Sequence, residues 1–163
     1  MIKQEISIFN SGMCTKDLIR KYGVYLLIAV FGTILFFVNV KDSHDWGGDF
    51  AMYIIQAKNI TDGNPQSQTF YYYNSDYPVL GPPAYPIGFP LLLSPVYLLF
   101  GNSIKAFTLL ITLFLFLSGI LMVAFFRKYF PDMIAFFLAM LILFNPWTMM
   151  FKLEIMSDLP FTF

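Results

Sequence analysis

The sequence predicts an all-α, polytopic integral membrane protein. It would have three transmembrane helices, the start of a fourth, and a long extracytoplasmic first loop containing amphipathic interfacial helices. Three observations predict this class. The 163-residue chain is 58% hydrophobic and only 12% charged, which is about half the charge of a typical soluble domain. Several apolar runs approach the length that a membrane-spanning helix needs. The long segment after the first run is instead polar, aromatic and rich in Gly and Pro.

The predicted spans and the start of a fourth cover residues 24–40, 104–126, 133–150 and 159–163. The first run could also be a signal peptide, since basic residues precede it. No small-residue cleavage site follows it, so we interpret it as an uncleaved helix. The second span is the clearest, because it has no charge from Ala106 to Phe126. In the third, Pro146 should kink or end the helix, since proline removes a backbone hydrogen bond.

The basic residues that flank the spans predict the orientation of the chain. Four of them lie in the N-terminal tail, residues 1–21, and Arg127 and Lys128 connect the second and third spans. These two parts should face the cytoplasm. The loop of residues 41–103 and the segment 151–158 should then lie together on the opposite side of the membrane.

A helix lying in the membrane interface is predicted from Asp49 to about Asp62, with Gly63 ending it. Its apolar residues recur every three or four positions, which gives one apolar face. They are Phe50, Tyr53, Ile54, Ala57 and Ile60 or Thr61. The polar residues Gln56, Lys58 and Asn59 are expected to lie away from that face.

Residues 87–100 are apolar but number only about 14, fewer than a span needs, and they include two prolines. We predict a re-entrant or surface-lying helix that ends at Gly101 and Asn102. The alternative is that this run joins the second span as one long tilted element.

Two acids stand at positions that suggest chemistry. Asp49 follows two glycines at a predicted helix N-terminus, where it could cap the helix or act as a general base. These roles are compatible, since a carboxylate has two oxygens. Asp158 would lie at the mouth of the fourth span, where ionisable groups are costly and often functional. On the predicted topology both acids face the same extracytoplasmic site.

The acidic cluster that opens the loop could hold a metal. His44 and Asp45 could join Asp49 around a divalent cation, because carboxylates suit Mg²⁺ or Mn²⁺ and His adds affinity for transition metals. A solvated polar turn is the alternative interpretation. Further along, a tyrosine-rich stretch could be an interfacial aromatic belt or a surface that stacks on sugars.

The charge and cysteine content exclude other classes. A net charge of zero gives no electrostatic case for nucleic acid as a partner. Cys14 is the only cysteine, so the chain cannot form an internal disulfide.

Three stretches carry a resemblance to a known family. They are Gly47-Gly48-Asp49 followed by Tyr53, Ala57 and Gly63; Pro82-Pro83-Ala84-Tyr85-Pro86 leading to Leu99-Phe100-Gly101; and Ser157-Asp158-Leu159-Pro160-Phe161. Because these three stretches occur in this order, the chain resembles the N-terminal part of a C-type glycosyltransferase. The family is the protein O-mannosyltransferase-like group, which comprises family thirty-nine and its aminoarabinose-transferase relatives. The resemblance covers most of residues 24–163.

This resemblance implies an enzyme of the bacterial inner (plasma) membrane, a hexosyl or pentosyl transferase. Its donor would be a polyprenyl-phosphate-linked sugar, and its acceptor a hydroxyl of a protein or a glycolipid. Transfer would be extracytoplasmic, beside membrane lipids, and would invert the anomeric centre. Asp49 would be the general base. Asp158 would be a second acid that positions the acceptor or a metal.

The resemblance also implies substrate contacts. Tyr53, Pro82, Pro83 and Tyr85 would bind substrate. Many relatives carry an arginine where this chain has Thr108. A cation for the leaving phosphate is expected, and Lys105 is the nearby candidate.

The chain ends at Phe163 just as an apolar run begins, so we interpret it as a fragment and expect these residues alone to be inactive. Two other classes stay open. One is a non-catalytic polytopic membrane protein such as a transporter or flippase subunit. The other is a truncated pseudoenzyme that serves as an assembly factor.

Overall fold

The computed structural model describes residues 15–41, 49–69 and 84–161. Within them every regular element is helical, which confirms the all-α prediction for this part of the chain. The α-helices are α1 Thr15–Thr33, α2 Phe50–Asp62, α3 Gly88–Phe100, α4 Ile104–Phe126, α5 Asp132–Leu143 and α6 Pro146–Phe151. A 3₁₀ turn, Ile34–Phe36, extends α1.

Helix α4 organises the other elements. Of the described helices it alone is long and apolar enough to cross a membrane, since its 23 residues extend about 34 Å at the rise of an α-helix. The hydroxyl of Ser103 caps its start by accepting from the Ala106 N–H at 3.3 Å. Its bounds agree with the predicted second span. A helix of this kind is consistent with a membrane location.

The first and third predicted spans form shorter apolar helices. The first ends earlier than expected, because the helical backbone stops at Phe36 and Asn39 adopts a positive φ of 54°. The third is divided between α5 and α6. The amide oxygen of Asn145 caps α6 by accepting from the Trp147 N–H at 2.9 Å.

Pro146 is the first residue of α6, where its missing N–H costs no hydrogen bond. The prediction that this proline ends the preceding helix is therefore confirmed. The described part of the predicted fourth span, residues 159–161, forms a turn.

Two hydrophobic clusters lie along α4. The first cluster joins α4 to α1 and α5, and its fully buried side chains include Ile28, Leu35, Val123 and Leu143. The second cluster joins α4 to α2, α3 and the segment after α6, and it includes Ala57, Leu93, Phe107, Ile111 and Ile155. Each cluster uses a different part of α4.

The short connection between α4 and α5 is held by Arg127. Its guanidinium Nε lies 2.8 Å from Oδ1 of Asp132, and its Cζ lies 5.0 Å from the centre of the Tyr25 ring. A cation over an aromatic face is attracted by the ring quadrupole. This arrangement ties the connection to α1.

Helices α2 and α3 end as the sequence predicts. Gly63 and Gly101 follow them with φ of 71° and 61°, a backbone conformation that favours glycine. Because α3 ends at Gly101 and α4 starts separately, the alternative of one long tilted element is wrong.

The predicted faces of α2 are only partly correct. Tyr53, Ile54 and Ala57 are buried as expected. Gln56 and Asn59 were expected away from the buried face, yet they are 0% and 5% exposed. The reason is that the chain after α2 folds back over these two amides.

Candidate functional site

The candidate site is a cavity of about 300 Å³ beside the second cluster, which we call the Tyr53 cavity. Its lining residues are Tyr53, Pro86, Gly88, Phe89, Ser157 and Phe161. It therefore joins three segments that are distant in the sequence: the first turns of α2, the start of α3 and the chain after α6. Such concave, mainly apolar spaces with a few polar groups are typical of small-ligand sites.

Aromatic rings shape this cavity. The ring of Tyr53 lies 4.9 Å from that of Phe89 in an edge-to-face arrangement and 4.9 Å from that of Tyr85. The rings of Phe89 and Phe161 are 6.5 Å apart. These separations are favourable for aromatic pairs, so the side chains hold one another in place.

Gln56 fixes the segment that leads into α3. Its side-chain Nε2 donates to the backbone carbonyl of Tyr85 at 2.8 Å, and its Oε1 accepts from the Tyr85 N–H at 3.1 Å. The same Nε2 also lies 3.1 Å from Oε1 of Gln66. One buried amide thus satisfies both backbone groups of Tyr85, as buried polar groups require.

Asn59 acts similarly one turn later. Its Nδ2 donates to the carbonyl of Gln68 at 2.9 Å. The sequence did not predict that either amide is buried, because the helical spacing places both residues beside the apolar face of α2 and not on it. One signal in the sequence could have indicated it: both amides lie in a helix that is followed directly by a loop. Side-chain amides readily form hydrogen bonds with loop backbone.

Asp49 occupies the N-cap position of α2, and its carbonyl accepts from the Tyr53 N–H at 3.2 Å. Its side chain makes no capping hydrogen bond. The interpretation of this residue as a conventional side-chain cap is therefore wrong. The half-buried carboxylate lies one helical turn before Tyr53, the residue that lines the cavity.

Asp158 is exposed and directly follows Ser157 in the cavity wall. The turn that carries it is anchored on both sides. Ile155 is fully buried in the second cluster, and the Phe161 N–H donates to the Ser157 carbonyl at 3.1 Å. The structure thus brings the backbone segments bearing both predicted acids to one cavity, although neither acid lines it.

Lys152 was not singled out by the sequence. Its side chain is 0% exposed, and its ammonium donates to the carbonyl of Leu35 at 2.7 Å and to that of Val38. These carbonyls belong to the C-terminal end of the first helical segment, where a cation is favoured. The contact ties the chain before Asp158 to the end of α1.

Burial lowers the pKa of the Lys152 ammonium, because the charged form loses its water. The two carbonyl oxygens replace part of that hydration. No signal in the sequence separates this lysine from a solvated one, since its acceptors lie more than 100 residues away in the chain.

Lys105 lies apart from the Tyr53 cavity. It is exposed and lines a different groove, together with Val96 and Phe100. Helix α3 carries Phe89 at one end and Phe100 at the other, about 16 Å apart along the helix axis. The structure therefore does not bring Lys105 to the cavity that Tyr53 lines.

The remaining predicted site residues, His44, Asp45, Pro82 and Pro83, lie outside the described residues. In the described ranges, no group of three or more His, Cys, Asp or Glu side chains could hold a metal ion. The Mg²⁺ or Mn²⁺ site therefore stays a prediction.

We compared the chain with protein-family models, with curated proteins and with solved structures. None of the three comparisons finds a match.

Proposed function

We propose that the chain forms part of a polytopic membrane glycosyltransferase. It would move a sugar from a polyprenyl-phosphate donor to an acceptor hydroxyl on the extracytoplasmic side of a bacterial inner membrane. The observation that carries this proposal is the Tyr53 cavity. Two segments that the resemblance singles out, one beginning at Asp49 and the other containing Asp158, meet there although more than 100 residues separate them.

The chemistry required is a single displacement. The acceptor oxygen attacks the anomeric carbon and forms the new glycosidic bond. The bond from that carbon to the phosphate oxygen breaks, and its electron pair leaves with the polyprenyl phosphate. The proton of the acceptor hydroxyl goes to the carboxylate of Asp49, which acts as the general base. Attack opposite the leaving group inverts the anomeric centre.

The cavity geometry supports these roles. The carboxylate of Asp49 makes no capping hydrogen bond, so its oxygens can accept a proton. The ring of Phe161 is 60% exposed and offers an apolar face to a sugar at the cavity, while the buried rings of Tyr53 and Phe89 form the packed wall behind it. Ser157 lines the cavity beside them, and its hydroxyl could orient the acceptor. Asp158 is the next residue in the chain.

The membrane provides the reason for placing such a site here. A polyprenyl chain stays in the bilayer, so its sugar can be reached only near the interface. The Tyr53 cavity lies beside the part of α4 that contains Phe107 and Ile111, near the N-terminal end of the helix that can cross the membrane. Irregular backbone at such a depth is tolerated where it lines a cavity.

Neither Lys105 nor a metal ion is assigned a step in this reaction. Lys105 lines another groove, so we do not give it the leaving phosphate. Asp49 and Asp158 are hard oxygen donors that suit Mg²⁺ or Mn²⁺. The described residues contain no group of three or more such side chains that could hold a metal ion, so no step is routed through a metal.

The test is a transfer assay with the full-length protein in membranes, using polyprenyl-phosphate mannose and polyprenyl-phosphate aminoarabinose as donors. Asp49→Asn should lower the rate about 100-fold or more, as expected for loss of a general base, with normal expression. Asp62→Asn is the matched control, because Asp62 is an exposed aspartate at the other end of α2. It should leave the rate unchanged.

Two outcomes of this assay would contradict the proposal. Transfer by Asp49→Asn at the wild-type rate would contradict the proposed role of this carboxylate. If neither donor is turned over by the wild-type protein, the non-catalytic alternatives, a transporter or flippase subunit or a pseudoenzyme, replace the proposal.

A further inference from the structure

The groove that contains Lys105 is a second concave surface, separate from the Tyr53 cavity. We call it the Lys105 groove. It measures about 500 Å³, and the residues that define its shape are Phe36, Val96, Phe100, Lys105, Leu109 and Leu113. It therefore lies between the end of α1, the second half of α3 and the first turns of α4.

One end of this groove is positive. Lys105 lies in the first turn of α4, where the helix dipole is also positive. The lysine is exposed, and it makes no ion pair in the described part of the chain. A phosphate placed there would meet both a side-chain ammonium and the favourable end of the helix dipole.

The rest of the groove is an apolar track that runs down α4 from this positive end. Lys105, Leu109 and Leu113 are spaced four residues apart and lie on one helix face. The track extends about 12 Å from the lysine along the helix axis. Phe100 and Leu113 are 64% and 42% exposed, so the track is open from the side.

A cation at the top of an apolar track complements one kind of molecule. An anionic phospholipid has a charged phosphate joined to alkyl chains that run in one direction. Because α4 is the helix able to cross a membrane, its axis gives the direction in which such chains lie in a bilayer. A groove of this volume matches the size of ordinary ligand sites.

A second, larger groove between α1 and α5 provides the comparison. It measures about 650 Å³, and the described residues that line it, such as Phe31, Phe136 and Met140, are all apolar. Nothing there selects a charged molecule. Charge complementarity therefore distinguishes the Lys105 groove.

We propose that the Lys105 groove binds one anionic phospholipid, with its phosphate at Lys105 and an alkyl chain along Leu109 and Leu113. This site goes beyond the proposed sugar transfer and does not depend on it. The phospholipid would fix α3 against α4 at the membrane surface.

The test uses the purified protein and native mass spectrometry to count retained lipids. The probes are phosphatidylglycerol and phosphatidylcholine with identical chains. Wild-type protein should retain phosphatidylglycerol in preference. Lys105→Ala should weaken this retention about tenfold, the expected loss for one charged hydrogen bond. It should change the retention of phosphatidylcholine less, because the choline cation offsets the charge of that lipid's phosphate. Lys105→Arg should keep the preference.

Lys58→Ala is the matched control, because Lys58 is an exposed lysine on α2 and should not change lipid retention. Equal retention of phosphatidylglycerol by wild type and Lys105→Ala would overturn the proposal. Displacement of the lipid by an equal concentration of inorganic phosphate would also overturn it, since the alkyl track would then contribute nothing. Preferential retention of polyprenyl phosphate would reassign the groove to the sugar donor.

Discussion

The two hydrophobic clusters along α4 are built in different ways. In the first cluster, α1 and α5 contact α4 through apolar side chains, and glycines let the helices approach. In the second, α2 and α3 also bury apolar side chains, but side-chain amides hold the loops around them. The difference indicates that helix packing holds the first cluster, whereas in the second a side-chain amide also positions the segment that leads into the Tyr53 cavity.

Close helix contacts characterise the first cluster. A Cβ on Gly119 would lie 2.6 Å from Cδ1 of Leu143, and one on Gly32 would lie 2.7 Å from Cδ2 of Phe116. Small residues at helix contacts are typical of membrane proteins, where close packing replaces the hydrophobic driving force. These glycines therefore matter for the approach of neighbouring helices.

The strongest way to break the second cluster is Gln56→Ala. Two partly buried hydrogen bonds from Gln56 to the backbone of Tyr85 would be lost. At about 1.5 kcal/mol each, this loss should lower the free energy of unfolding by about 3 kcal/mol. Thermal unfolding in detergent measures this. Gln66→Ala is the matched control, because it removes only the bond between the two side chains. If Gln56→Ala cost no more than the control, the amide would not hold the loop.

The corresponding change in the first cluster is Gly119→Val. Its side chain would meet the fully buried Leu143, and overpacking should lower the free energy of unfolding by about 2 kcal/mol. Leu117→Val is the control, since Leu117 is 41% exposed on the same helix. Because the first cluster does not line the Tyr53 cavity, any transfer activity should survive in the molecules that stay folded. Full stability in Gly119→Val would contradict the close contact between α4 and α5.

A smaller effect, dependent on pH, should come from Lys152, which connects the two regions. Burial lowers the pKa of this lysine in the folded protein. At a pH between this lowered pKa and the ordinary lysine pKa, the unfolded chain therefore binds more protons than the folded protein does. In that alkaline window, stability should rise with pH.

The measurement compares wild type with Lys152→Met, which keeps the length of the side chain and removes the charge. The stability of wild type relative to this variant should increase as the pH rises from neutral towards the ordinary lysine pKa. Lys58→Met changes an exposed lysine, so its stability should depend on pH in the same way as that of wild type. A difference between wild type and Lys152→Met that stays constant with pH would refute the effect of burial on this group.

Local signals in the sequence predicted several features correctly. The bounds of α4, the end of α2 at Gly63, the end of α3 at Gly101 and the break at Pro146 all follow from apolar length, glycine and proline. Each depends on residues close together in the chain.

Features that depend on tertiary contacts could not be predicted in this way. Gln56 is buried because a loop folds over it, and Lys152 because the end of α1 covers it. The separation of Lys105 from the Tyr53 cavity likewise follows from how α3 packs against α2 and α4. Helical periodicity identifies an apolar face but not which loop will cover the polar residues beside it.

The central proposal is that Asp49 and Asp158 face the same non-cytoplasmic side of the membrane, on two segments that meet at the Tyr53 cavity. Cysteine labelling tests it most directly. Cys14→Ser removes the one cysteine of these 163 residues, and any cysteine elsewhere in the full-length protein is replaced by serine in the same way to give a cysteine-free background. Asp49→Cys, Asp158→Cys and, for the opposite side, Lys128→Cys would each be introduced into this background. Intact cells are then treated with a membrane-impermeant maleimide. Our account predicts that Asp49→Cys and Asp158→Cys react from outside, whereas Lys128→Cys reacts only after the membrane is opened. Reaction of the two aspartate variants from opposite sides would contradict it.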